Sequence, residues 1–351
     1  MAAPRKNANN GKAKLIHDLK ECSFAPLYII TGDEDYMKAH YLRQLKEKVV
    51  DVAFADFNLL EYEGKGLTPE QLTEAIDSYP AMSEKKLIII TDFDLSKPPA
   101  GFGDLLPEML SDLPDYVCLV FYYDILEGKL DKRTKLYKTL EKTACIAECS
   151  RLEENELVAW IERRVRSLGC TITSDNASYL IFLCGNSMTN LAGEIDKAAA
   201  HTTTGEIRKY NIDAVCSPVL DAVIFDLTDA ITAGKFYRAV SLVGELIAQK
   251  NNEVMIFTTI TRHIQRLYGA KLCESARGGE RLLMELIGSK SPYYARQIQN
   301  AARRVSLDWL RQAASLCAQT DTALKGSAVD RQKQIELTLL ALASAQKGER
   351  A

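Results

Sequence analysis

A short apolar run, Pro26–Thr31 (PLYIIT), ends at Gly32 and opens into a helical pattern, the local arrangement in which a nucleotidase cradles phosphate. The working pattern is G-x-x-x-x-G-K-[ST]: backbone N–H groups and the Lys hold the phosphates, and the hydroxyl binds Mg²⁺. Here the run reads Gly32-Asp33-Glu34-Asp35-Tyr36-Met37-Lys38-Ala39. Gly32 and Lys38 keep their spacing, but Met37 replaces the second Gly and obstructs close backbone approach to an anion. Ala39 removes the hydroxyl, and Asp33, Glu34 and Asp35 put three carboxylates where negative charge would have to bind. This loop is expected not to bind nucleotide. Its acids read as a solvated turn that favours the start of the following helix. Asp92, just past the run Leu87–Thr91 (LIIIT), stands where a nucleotidase would hold magnesium, and without a working loop it reads as a strand-end acid.

Other chemistry is not signalled. The sequence contains no G-x-S-x-G and no H-E-x-x-H, and the carboxylate pairs Asp92/Asp94 and Glu153/Glu154 read as strand-end and helix-start charges. His17, His40, His201 and His263 show no ligand spacing. The nine cysteines, at 22, 118, 145, 149, 170, 184, 216, 273 and 317, include no C-x-x-C pair. Buried, reduced thiols are expected, with no catalytic residue, no cofactor and no metal.

The elements that would position the loop follow from periodicity. Phe57–Tyr62, Leu87–Thr91, Tyr116–Tyr122 and Cys145–Glu148 read as strands beside Pro26–Thr31, and the continuous apolar runs mark strands buried on both faces. Helical patterns at Tyr36–Val50 and Pro69–Ile76 lie between them, the second with Thr68 as N-cap and Pro69 at the first helical position. Strands alternating with helices imply an α/β domain with a mostly parallel sheet. From residue 153 the strand signal stops. Leu157, Ile161, Val165 and Leu168, then a helix capped by Asp175, then Leu191 and Ile195 predict three short helices. Stripes from Val223 to Leu342 predict six or so more. The expected division is 1–21, a flexible tail and lead-in helix, with the tail reaching about Lys14; 22–150, the α/β domain; 151–215, three helices; and 216–351, a helical bundle.

Composition bounds the partners. The chain has 351 residues and a net charge of −3, which excludes a dedicated high-affinity polyanion binder. Residues 216–351 carry +5 and residues 1–215 carry −8. No secretory signal or membrane-length apolar stretch is present, so a cytoplasmic protein without a membrane partner is expected.

The order of these parts resembles the clamp-loader subunits of bacterial DNA polymerase III, and the motifs resemble the delta subunit family. The resemblance rests on Leu27–Leu42 (LYIITGDEDYMKAHYL), Tyr79–Ile90 (YPAMSEKKLIII), Leu157–Gly169 (LVAWIERRVRSLG) and Leu183–Lys197 (LCGNSMTNLAGEIDK). Phe225–Ile231 (FDLTDAI), Ser291–Tyr294 (SPYY) and Asp321–Lys325 (DTALK) extend it, so that it covers about residues 20–345. It implies an AAA+-like (RecA-type) α/β domain with a degenerate phosphate loop, a three-helix lid and a helical collar. It further implies a subunit that grips the beta sliding clamp and opens its ring while neighbouring subunits hydrolyse ATP. The implied partners are that clamp, the gamma/tau and delta prime subunits through the collar, and primed DNA within the assembly. The assembly is a DNA-directed DNA polymerase holoenzyme, a nucleotidyltransferase.

In the family the clamp-gripping element is a short helix before the strand read here as Leu87–Thr91, usually with two adjacent bulky apolar residues and then a small polar one. The matching segment is Pro80, Ala81, Met82 and Ser83. Met82 fits as a flexible apolar plug. Ala81 departs from the pattern, and Tyr79 or Pro80 would have to supply the missing area. From the residues alone, Tyr79–Met82 could equally tuck beneath the sheet. Arg163, Arg164, Lys271, Arg303 and Arg304 read as solvated faces or subunit contacts rather than as direct phosphate contacts. Two other readings stay open: an NTPase with an unusual loop, and a helical DNA-binding regulator.

Overall fold

The computed structural model describes residues 8–103, 105–126, 133–326 and 330–350. The chain divides into two compact units, Met1–Leu152 and Glu153–Ala351.

The first unit is built on one parallel sheet. Its elements are α1 (Ala8–Glu21), β1 (Leu27–Thr31), α2 (Asp35–Val49), α3 (Ala55–Asn58), β2 (Leu59–Glu63), α4 (Pro69–Asp77), β3 (Lys86–Thr91), α5 (Leu105–Met109), β4 (Val117–Tyr122), α6 (Lys135–Thr143) and β5 (Cys145–Glu148). The strand order is β2-β3-β4-β1-β5, with all pairs parallel. Each of the runs LYIIT, KLIIIT and VCLVFY is buried along nearly its whole length, because helices cover both faces. In register, Ile90 pairs with Phe121 and Phe121 with Ile29. That row packs with Leu72 and Ile76 of α4 and Leu140 of α6 in one core.

Helix α4 begins as expected: Thr68 and Gln71 form a reciprocal capping box, with Pro69 following the cap. Two expectations at the edges change. Helix α1 begins at Ala8, so residues 8–14 are helical rather than tail, and buried Leu15 and Leu19 anchor it. Residues 1–7 of the expected tail lie outside the described residues. Phe57 and Asn58 belong to α3, and the strand starts only at Leu59.

The second unit contains α7 (Glu154–Ser167), β6 (Thr171–Ile172), α8 (Ser174–Cys184), α9 (Met188–His201), β7 (Glu206–Ile207) and α10 (Lys209–Val215). It continues through α11 (Leu220–Thr232), α12 (Phe236–Ala248), α13 (Glu253–Ser275), α14 (Glu280–Ile287), α15 (Pro292–Ala302), α16 (Leu307–Leu324) and α17 (Arg331–Arg350). Before residue 216 there are four helices rather than three, plus a parallel pairing of two residues per strand that carries no apolar run to signal it. Thr173, not Asp175, caps α8, accepting from the Asn176 N–H at 3.3 Å. Helices α11–α17 share a core centred on Trp309, whose indole N–H reaches the Leu342 carbonyl at 3.1 Å. Among the described residues no helix is long and apolar enough to cross a membrane. The architecture is thus a parallel α/β unit followed by an all-helical one, with the sheet order of an AAA+-like domain.

Candidate functional site

The loop between β1 and α2 is filled by the protein's own groups. Gly32 has φ +123°, and a Cβ there would lie 2.2 Å from the Cys149 carbonyl oxygen. The segment after β5 presses against it: the Cys149 N–H donates to Thr31 O at 2.6 Å, and the Glu34 N–H donates to Cys149 O at 2.9 Å. Glycine is therefore required here by a neighbouring strand end, independently of any phosphate. Lys38 is only 3% exposed. Its ammonium donates to the carbonyls of Tyr123 (2.8 Å) and Asp124 (3.4 Å) and pairs with Asp35 at 2.9 Å.

Asp92 works on the same segment from the other side. Its carboxylate accepts the N–H groups of Asp124 (2.9 Å), Ile125 (3.1 Å) and Leu126 (3.0 Å). The Lys and the acid that would serve phosphate and magnesium in a nucleotidase here tie down the chain leaving β4. Asp33 and Ala39 are exposed and Met37 is buried. Glu34 is not the solvated acid that the sequence suggests: it is buried, and desolvation raises its pKa above the ordinary carboxyl value.

The segment Tyr79–Ser83 lies between α4 and β3. Among the described residues it is a bend and not the expected short helix. Its geometry is set by two buried polar residues. Lys86 donates to the Ile76 carbonyl at 3.0 Å, to the Ser78 hydroxyl at 2.9 Å and to the Ser78 carbonyl, closing the C-terminal end of α4. Burial lowers the pKa of this ammonium, and its position 5.4 Å from the Tyr116 ring centroid adds a cation–π contact.

Asn58, fully buried, holds the other end. Its amide accepts the Ala81 N–H and donates to the Ala81 carbonyl and to the Ser83 hydroxyl, at 2.7, 2.9 and 3.0 Å. Between those two anchored residues Met82 takes a left-handed φ of +52° and is 85% exposed. A left-handed conformation at a non-glycine residue costs about 1–2 kcal/mol, so the bend is imposed by the residues that hold it.

Met82 is not the only exposed apolar group on these elements. Tyr79 is 82% exposed, with its ring 4.9 Å from Tyr116, and Phe57, next to Asn58, is 69% exposed. Pro80, Ala81 and Ser83 are half-buried. Sequence reasoning singled out Met82 and passed over Asn58 and Phe57. A buried asparagine directly before a strand was the available signal, since a buried amide must find partners.

Four of the five basic residues singled out from the sequence are paired within the second unit. Arg164 meets Asp196 at 2.9 Å, Arg304 meets Asp229 at 2.6 Å, and Lys271 and Arg303 share Glu274 at 3.2 and 3.7 Å.

Residues 28–150 match the family model described as DNA polymerase III, delta subunit, and residues 221–342 match that of its C-terminal domain. The chain belongs to the DNA polymerase III delta subunit family. Across this family, the DNA polymerase III subunit delta of Bacillus subtilis (strain 168) is 25% identical over 340 residues, 92% of this chain and 94% of that protein. A probable delta subunit of Aquifex aeolicus is 20% identical over 274 residues, covering 76% of this chain and 77% of its own. The solved structure of the Bacillus subtilis DNA clamp loader delta protein superposes with a TM-score of 0.57 at 22% identity, over 95% of this chain and 99% of that one. That likeness establishes a shared fold.

Proposed function

We propose that this delta-family chain is the clamp-gripping subunit of a bacterial clamp loader. It binds the beta sliding clamp through Met82 and its surroundings and favours the opened ring. It does so in the cytoplasm without turning over ATP itself. The observation that carries this reading is the presentation of Met82: a large apolar side chain, 85% exposed and held outward by Asn58 on both sides. A core residue would be covered, and a spare surface residue would need no such bracing.

Burying one Met side chain in a partner contributes about 1.5–3 kcal/mol. Tyr79 and Phe57 supply the apolar area that Ala81 lacks. Opening follows if the opened or strained clamp is bound more tightly than the closed one.

The silence of the phosphate loop is supported by Lys38 and Asp92, both already engaged by the segment after β4. The paired arginines speak against an autonomous DNA-binding regulator. On this reading residues 151–215 act as the lid and 216–351 as the collar that meets the gamma/tau and delta prime subunits. Primed DNA is met mainly by the assembled loader, with salt-sensitive affinity.

The test is co-elution with a purified sliding clamp. The native chain is expected to co-elute, and Met82→Asp is expected to lose the clamp while keeping its melting temperature. A folded Met82→Asp protein with unchanged clamp affinity overturns the assignment.

A further inference from the structure

Three ligand-type side chains that share no motif in sequence meet inside the second unit. Cys184 is the last residue of α8, Glu194 lies within α9, and Cys216 caps the end of α10. Their two sulfurs and a carboxylate oxygen all lie within 4.8 Å of one another, and all three residues are buried. We propose that Cys184, Glu194 and Cys216 bind a thiophilic divalent cation of the zinc class.

The distances fit that chemistry. With Zn–S near 2.3 Å and Zn–O about 2.0–2.2 Å, tetrahedral ligand atoms stand roughly 3.4–3.8 Å apart. A trio already within 4.8 Å closes on an ion by small side-chain adjustments. The Cys216 thiol already sits against α9, donating to the Glu194 backbone carbonyl at 3.6 Å.

Glu194 is already aimed. Its Oε2 accepts the Ser217 N–H at 3.2 Å and pairs with the Lys197 ammonium at 2.7 Å, which fixes the orientation of the carboxylate. Such contacts orient a ligating carboxylate as outer-shell partners do in metal sites. Charge closes as well. Two thiolates and a carboxylate carry three negative charges, and a divalent ion with Lys197 balances them, which a buried site requires. Lys197 is 46% exposed, so solvent reaches this side and a water can take the fourth position, as it does in three-ligand zinc sites.

The ion would staple the helices α8, α9 and α10 to one another. It would also fix the connector Cys216–Val219, whose Val219 N–H donates to Leu183 O at 2.8 Å just before α11 begins. The joint between α7–α10 and α11–α17 would then be set by metal. The spacing of 184, 194 and 216 follows no zinc-binding pattern, which is why the sequence suggests none.

The test is titration of the reduced, metal-free full chain with Co²⁺, read by thiolate-to-cobalt charge-transfer absorption, followed by displacement with Zn²⁺. One equivalent per chain is expected, with Zn²⁺ raising the melting temperature. Cys184→Ser and Cys216→Ser are expected to lose the absorption, and Glu194→Gln to weaken Co²⁺ binding at least tenfold. Cys273→Ser, a buried cysteine in α13, is expected to keep it. Absence of the absorption in folded native protein overturns the site, whether or not oxidation joins the two thiols as a disulfide. So does absorption that survives in folded Cys184→Ser and Cys216→Ser proteins. Should both serine variants fail to fold, Glu194→Gln decides: unchanged Co²⁺ affinity in that variant overturns the site.

Discussion

Asn58 and Ala81 exchange two hydrogen bonds across 23 residues of chain, the amide accepting the Ala81 N–H at 2.7 Å and donating to its carbonyl at 2.9 Å. A side-chain amide thereby imitates a strand neighbour and gives the bend before β3 a fixed shape. Asn58→Ala would leave both backbone groups without their partner, costing about 1–3 kcal/mol of stability. Because Met82 is held only through its neighbours, clamp affinity is expected to fall with it although no contact residue has changed. Urea unfolding and clamp co-elution on the same variant check both halves. Full clamp affinity in Asn58→Ala would show that the bend needs no bracing.

Met82→Gly separates conformation from contact. Relief of the left-handed φ is worth about 1–2 kcal/mol, against about 0.4–1 kcal/mol of extra freedom that glycine gives the unfolded chain. The variant is therefore expected to melt no lower than the parent while binding the clamp tenfold or more weakly. A drop in melting temperature would mean that the Met82 side chain contributes to the fold.

Legibility in the sequence followed the length of each signal. The runs LYIIT, LIIIT and YVCLVFY announced a parallel sheet because a strand covered on both faces must be apolar at every position. The failed phosphate loop was equally plain from Met37 and Ala39. What could not be read is how that loop's remnants are reused: Lys38 and Asp92 grip residues 123–126, far away in sequence, and no spacing encodes such a contact. Asn58 was missed for the same reason, as were the meeting of Cys184 with Cys216 and the ladder of Thr171–Ile172 with Glu206–Ile207. Each is a tertiary contact made by one or two residues with no periodic pattern behind it.

Glu34 gives the first unit a pH dependence of known sign. Burial raises its pKa above the ordinary 4.5, so the folded state holds the proton more tightly than the unfolded one. Its charge consequently costs stability above the raised value, and the cost disappears as pH falls from there to 4.5. Glu34→Gln is expected to stabilise the protein at neutral pH, with the gain fading over that window. Melting temperatures of parent and variant along a pH series measure it, and a gain that grows toward acid pH would reverse the sign.

His263 acts in the opposite sense in the second unit. Its ring is buried among Phe225, Tyr294 and Arg266, with Nδ1 3.4 Å from the Tyr294 hydroxyl and the Phe225 ring centroid 5.2 Å away. Burial, aided by the Arg266 charge, pushes its pKa from 6.5 down to about 3. Below pH 6.5 the unfolded chain therefore takes up a proton that the folded chain refuses, and stability falls as pH drops toward 3. The steepest slope is about 1.4 kcal/mol per pH unit for one group. His263→Asn should cost stability at neutral pH, because it leaves a gap beside Phe225, yet it should remove this slope. The stability difference between parent and variant is then constant above pH 6.5 and narrows steadily below it. Urea unfolding of both proteins between neutral pH and about pH 5 reads that difference directly. A gap that stays constant throughout would mean that His263 accepts its proton in the folded state, with Tyr294 turning its oxygen toward the imidazolium.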